Sequence, residues 1–155
     1  MRKSESLSEL VVALAEGRQT PDSLARQSLE CATQLADLNA FVTIDEEIVI
    51  AQAKAATLRR QKGKPLSPID GIPIAIKDNY LTKDYPTTAC SHALPLEPEG
   101  KDATVVANLR AAGAVIFGKT NMHEWAFGAT NTTSSVGVTR NPHNYEHITG
   151  GSSGG

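Results

Sequence analysis

Three features of the sequence predict an α/β fold. Two short apolar runs, residues 72–76 and 114–117, have the length and continuity of strands covered on both faces. Residues 103–112 lie between them and carry Val105, Val106 and Leu109 at helical spacing, expected to face inward. Strand, helix, strand in that order describes a sheet with helices on its faces.

The N-terminal part reads as helices. Ser6-Leu7-Ser8-Glu9 is a capping box that opens a short helix, with Leu7, Leu10, Val11 and Leu14 on one face and Gly17 at its end. Thr20 followed by Pro21 is the next start signal, and Leu24, Cys31 and Leu35 recur at helical spacing to about residue 37. Residues 40–44 form a short apolar run with the character of a strand. Asp45 caps a third helix, whose stripe is Ile48, Ala51, Ala55 and Leu58 and whose end is Lys62-Gly63. Pro73 belongs at the start or edge of the strand over 72–76. Residues 79–101, with Pro86, Pro95 and Pro98, read as a long surface loop. Asp102 is placed to cap the helix over 103–112, and Gly113 suits the position after its end. Asn121 to Glu124 resembles another capping box, before Trp125 and Phe127. From Gly128 onward Gly, Asn, Thr and Ser dominate, and little regular structure is expected.

Composition excludes several classes. With 40% hydrophobic and 21% charged residues and a net charge of −2, the 155-residue chain has ordinary globular composition and no basic surface for nucleic acid. No segment reaches the roughly 18 apolar residues of a membrane span, and the N-terminus lacks an apolar leader, which points to a cytoplasmic setting. Cys31 and Cys90 read as separate reduced thiols. Asn131-Thr132-Thr133 then reads as a loop sequence, not a glycosylation site.

Two sharper motifs carry little. Residues 113–120 match the phosphate-binding pattern G-x-x-x-x-G-K-[ST], which makes a non-catalytic nucleotide or anion binder an alternative of another class. Its inner residues, Ala-Val-Ile-Phe, read as the strand itself and not as a loop of free N–H groups. His123-Glu124 lacks the second histidine of a zinc helix, and His143 and His147 fall in a proline-marked loop, so exposed loop histidines are expected and no metal or other cofactor.

Chemistry concentrates in two stretches. Lys77 ends an apolar strand and is followed by Asp78 and Asn79. A lysine ordinarily titrates near 10.4, so an uncharged amine at pH 7 costs about 4.6 kcal/mol, most of which burial can remove. Such an amine is a general base. Gly150-Gly151-Ser152-Ser153-Gly154-Gly155 suits a linker, an anion-binding nest, or a tight turn that presents a serine hydroxyl.

Taken together, Gly71-Ile72-Pro73-x-x-x-Lys77-Asp78-Asn79 and the terminal glycine–serine string, with Gly118-Lys119-Thr120-Asn121-Met122 and Arg140-Asn141-Pro142 between them, strongly resemble the amidase signature family. The resemblance runs from about Leu7 to Gly155. It implies a mixed β-sheet covered by helices, incomplete in this chain. A helical layer would span about 1–64 and the start of the α/β core about 65–155, both within one amidase domain. It also implies a Ser-Ser-Lys triad that hydrolyses a carboxamide to an acid and ammonia or amine. Lys77 matches the base and Ser152 the bridging serine that follows a cis peptide bond; Ser153 is the alternative register. Gly150, Gly151, Ser153 and Gly154 would shape the loop. The nucleophile would lie in a further glycine-rich stretch beyond residue 155, leaving these 155 residues inactive alone. Expected partners are a small amide substrate and, for the full-length protein, a second copy in a homodimer; nucleic acid is not contacted directly, and no membrane is involved. Within the family, the alternative is the A subunit of a tRNA-dependent glutamine amidotransferase. Leu38-Asn39-Ala40-Phe41-Val42 suits that subunit, whereas His123-Glu124-Trp125 leans toward small-amide hydrolases such as indoleacetamide hydrolases.

Overall fold

The computed structural model describes residues 5–155. The reading of the first four residues lies outside that range. Seven elements follow in order: α1 Leu7–Ala15, α2 Pro21–Gln34, β1 Phe41–Thr43, α3 Glu46–Gln61, β2 Pro73–Lys77, α4 Thr104–Ala111 and β3 Val115–Thr120.

Local capping chemistry places the first three helices. Ser6 and Glu9 form a reciprocal capping box on α1, Thr20 and Ser23 form one on α2 ahead of Pro21, and the Asp45 side chain accepts from the Ile48 N–H of α3. The buried faces differ from those expected. Leu7 is exposed on α1, where Leu14 is the buried leucine. On α2 Cys31 and Leu35 are exposed, because the helix packs through Leu24, Ala25, Leu29 and Ala32 and ends at Gln34. On α3 the buried stripe is Val49, Ala53 and Ala56, while Ala51, Ala55 and Leu58 face solvent. The alanine-rich sequence offers two stripes of similar merit, and packing against α2 selects the one with the smallest side chains.

The sheet has order β1-β3-β2, with β2 parallel and β1 antiparallel to β3. It is therefore mixed, as expected of the family fold, and residues before 65 contribute a strand to it. β3 is central and buried at every position, and it runs on to Thr120, three residues past the expected end. β2 is an outer strand, and contrary to expectation it is not covered on both faces: Ala75 is exposed while Ile76 is buried. One face of the sheet packs Val115 and Phe117 against α2 and α3, and Phe41 meets Phe117 edge-on with ring centroids 5.4 Å apart. The other packs Ile76 and Ile116 against Val106 of α4 and Tyr85, with Leu109 alongside; Val105, expected to face inward with them, is exposed because it lies on the outer side of α4. Each fully buried Val or Ile side chain contributes about 1.5–3 kcal/mol.

Two further expectations change. Asp102 does not cap α4: Arg110 Nε holds its carboxylate at 2.9 Å and it accepts from the Lys83 N–H at 2.8 Å, so Ala103 takes the cap position without a side-chain bond. The segment 79–101 has no helix or strand but is not a mere surface wrap, since Thr82, Tyr85, Thr88, Cys90 and Ser91 are buried.

A buried ion pair ties α3 to the entry of β2. Arg59 Nη2 and Nε donate to Asp70 at 2.6 and 3.0 Å, and the Leu66 N–H donates to the same carboxylate at 2.9 Å. Burial pushes the Asp70 carboxyl upward, but Arg59, the Leu66 N–H and the Arg60 charge outweigh it and hold the group below the usual aspartate range. Asp102 is likewise held low, with Arg110 and the Lys83 N–H overcoming burial. A depressed carboxylate contributes stability that is full above the unfolded value, about 3.9, and is lost as pH falls through the folded value. Urea midpoints of the protein should therefore be level from pH 7 down to about 4.5 and fall below about 4. Asp70→Asn should flatten that acid limb.

Candidate active site

The end of β3 gathers two distant stretches. Lys77, the last residue of β2, pairs in register with Thr120, and the Asp78 N–H donates to the Thr120 carbonyl at 3.2 Å. On the other side, the Gly154 and Gly155 N–H groups donate to the Asn121 carbonyl at 3.2 and 3.0 Å. The His123 N–H donates to the Ser152 carbonyl at 2.8 Å, and Met122 forms an antiparallel bridge with Ser153. Lys77 Nζ thereby meets Ser152 Oγ at 2.5 Å. The Gly151–Ser152 peptide is cis.

Of the two adjacent serines, then, Ser152 contacts the lysine, while Ser153 is exposed. Gly150 turns the chain with φ +85°, and Gly151 is exposed beside it. Gly154 is required by close approach: a Cβ there would run into the amide of Asn131, which is fully buried and donates to Thr139 Oγ1 at 2.6 Å. Lys77 and Ser152 are each half-buried. The enclosed, dry setting expected around the amine is not formed by the described residues, because β2 is an outer strand whose Lys77 face is open.

Beneath the pair lies a polar layer that sequence reasoning missed. Asp78 is fully buried, and its Oδ2 accepts from Thr88 Oγ1 at 2.6 Å and from the N–H groups of Cys90 and Thr88 at 3.1 and 3.2 Å. Its Oδ1 lies 3.2 Å from Lys119 Nζ, close enough for an ion pair but outside hydrogen-bond geometry. Burial pushes the Lys119 ammonium below the usual lysine range, and the Asp78 charge opposes that. Burial also raises the Cys90 thiol, to which the Asp78 charge adds. Asn121, read from sequence as a helix cap, is buried instead. Its Nδ2 donates to the carbonyls of Asn39 and Gly137, and its Oδ1 accepts from Ser134 Oγ at 2.7 Å. No helix follows it: residues 124–126 form one irregular 3-10 turn, with Trp125 at φ +55° and Trp125 and Phe127 exposed. The sequence clue to Asp78 was its phase, two residues after buried Ile76 and hence on the same strand face.

The phosphate-loop string is part of the strand. Gly113 follows α4, residues 115–120 are β3, and the Lys119 side chain is 0% exposed, so its amine is not available to a phosphate. His143 and His147 are exposed as expected, whereas His123 is half-buried. Among the described residues no three His, Cys, Asp or Glu side chains group to hold a metal.

This mixed sheet with helices on its faces is the fold of solved amidase structures. The Amidase family model matches residues 24–155, and the chain belongs to that family. It is 44% identical over 150 residues to the A subunit of glutamyl-tRNA(Gln) amidotransferase from Cupriavidus taiwanensis (strain DSM 17343 / BCRC 17206 / CCUG 44338 / CIP 107171 / LMG 19424 / R1), covering 97% of this chain and 30% of that protein. It is 45% identical over 151 residues to the corresponding protein of Rhodopirellula baltica (strain DSM 10527 / NCIMB 13988 / SH1), covering 96% of this chain and 30% of that one. Among solved structures, an amidase superposes with TM-score 0.90 at 39% identity, covering 97% of this chain and 34% of its own. The peptide amidase of Stenotrophomonas maltophilia superposes with TM-score 0.89 at 30% identity, covering 97% and 32%. The chain thus spans about 30% of the length of the curated relatives it matches.

Proposed function

We propose that these residues form the lysine–serine portion of an amidase that hydrolyses a carboxamide to a carboxylic acid and ammonia or amine. The observation that carries this reading is the 2.5 Å contact between Lys77 Nζ and Ser152 Oγ in a chain of the Amidase family. Lys77 accepts the Ser152 hydroxyl proton as Ser152 accepts one from a nucleophilic serine. The proton then returns along the same path to the leaving nitrogen. The resemblance assigns that nucleophile to a segment outside residues 1–155, within the same amidase domain. A cytoplasmic protein, a small amide as substrate and a homodimer accord with this reading. Among the described residues no helix is long and apolar enough to cross a membrane.

A second reading has a specific observation behind it: the relatives described are A subunits of glutamyl-tRNA(Gln) amidotransferase. The whole gene product, assayed for ammonia release from simple carboxamides and from glutamine, separates the two. Release from simple amides by the purified protein alone supports the stand-alone amidase. Glutamine turnover that appears only with partner subunits and charged tRNA supports the amidotransferase, and no release under either condition removes both.

A further inference from the structure

We infer that the buried Asp78–Lys119 pair is a positioning device for Lys77, an assignment that rests on the amidase reading above. Strand alternation puts Ile76 and Asp78 on one face of β2 and Lys77 on the other. Register puts Lys119 opposite Ile76, so the buried amine reaches Asp78 under the sheet while Lys77 reaches Ser152 above it.

The residue after Lys77 is held from several sides. Lys119 Nζ donates to Thr87 Oγ1 at 2.7 Å and to the Pro86 carbonyl at 3.0 Å, besides facing Asp78 Oδ1. Thr88 and Cys90 take up Oδ2. The main chain is tied as well: the Asp78 N–H to Thr120, the Ala89 N–H to the Asp78 carbonyl at 3.0 Å, and the Tyr80 N–H to the Lys77 carbonyl at 3.0 Å. With its own carbonyl and the next residue fixed, Lys77 can move its amine only by side-chain rotation.

A buried ion pair is by itself poor evidence of added stability. Two side chains that are 0% exposed lose their hydration, and an apolar pair of the same volume often serves a fold as well or better. A buried charge pair, together with the directional bonds from Thr88 and Cys90, does what an apolar pair cannot: it selects one backbone position at 78, and so one origin for the Lys77 side chain. A lateral error of about 1 Å in a catalytic group can cost on the order of 100-fold in rate.

The test uses the whole gene product. Lys119→Met alone strands a buried carboxylate and is expected to fold poorly, so the informative variant is Asp78→Asn with Lys119→Met, which removes both charges and keeps the volume. Thermal melting establishes that it folds. Acetylation of Lys77 by acetic anhydride, read by peptide mass spectrometry at one pH, reports whether the amine has left Ser152 and does not depend on turnover. We expect Lys77 labelling to rise several-fold, and kcat for an amide substrate to fall by about 10–100-fold with KM within about two-fold. A folded variant with labelling and kcat both at wild-type values overturns the assignment. Should the double variant not fold, Thr88→Val weakens the same carboxylate's anchorage while leaving both charges; increased Lys77 labelling supports the assignment, and unchanged labelling overturns it. If Lys77→Ala leaves hydrolysis intact, the amidase reading fails on its own, while the labelling comparison still decides whether the pair positions Lys77.

Discussion

Lys77→Ala is expected to lower kcat/KM for amide hydrolysis by the whole gene product by about 10³-fold or more, the scale of losing a general base that acts within a linked set. Lys77→Arg should be nearly as damaging. A guanidinium keeps much of the bulk but does not deprotonate in a protein, so it cannot accept a proton from Ser152. The Lys77 side chain is half-buried and makes its hydrogen bond to one hydroxyl, so melting temperatures of both variants should stay within a few degrees of wild type. Ammonia release and calorimetry on the same preparations check this. More than a few per cent of activity remaining in a folded Lys77→Ala protein would mean the lysine is not the base.

Gly113→Ala should give the largest loss of stability, about 4 kcal/mol, part of it from backbone strain at φ +88° and the rest from displacing Asp70. A Cβ at 113 would collide with the Asp70 carboxylate, which cannot retreat because Arg59 and the Leu66 N–H hold it in a fully buried position. The loss is a large share of the 5–15 kcal/mol that separates folded from unfolded domains. In an Asp70→Ala background the carboxylate is gone, and adding Gly113→Ala should cost only the backbone part, about 1–2 kcal/mol. Urea unfolding of the four proteins closes the cycle; strictly additive losses would show that the two positions do not oppose each other.

How much of this was legible beforehand depended on range. Caps are local chemistry, and Ser6, Thr20 and Asp45 announced three helices from a few neighbouring residues. The strands were legible as apolar runs, although β3 continues through Gly118 to Thr120 because its polar residues pair with β1 and β2. Helix faces were not legible where alanine abounds, since Ala51 and Ala55 look no less apolar than Ala53 and Ala56. The lysine–serine contact was legible only through resemblance, its partners being 75 residues apart. Asp78, Lys119 and Asn121 were not legible as a buried layer. A polar side chain goes inside only where partners wait, and those of Asn121 include Asn39, 82 residues away.

The convergence of chain segments on the end of β3 has a consequence for how the protein forms. Neither Lys77 nor the glycine–serine string touches its counterpart through local contacts; each is anchored separately to the Thr120–His123 region. The site is therefore an outcome of docking one central strand and cannot be nucleated early by either stretch alone. Any event that transiently frees that strand would unmake both halves together, so the pair's lifetime is set by the cooperative unit around β3 and not by the two side chains that meet there.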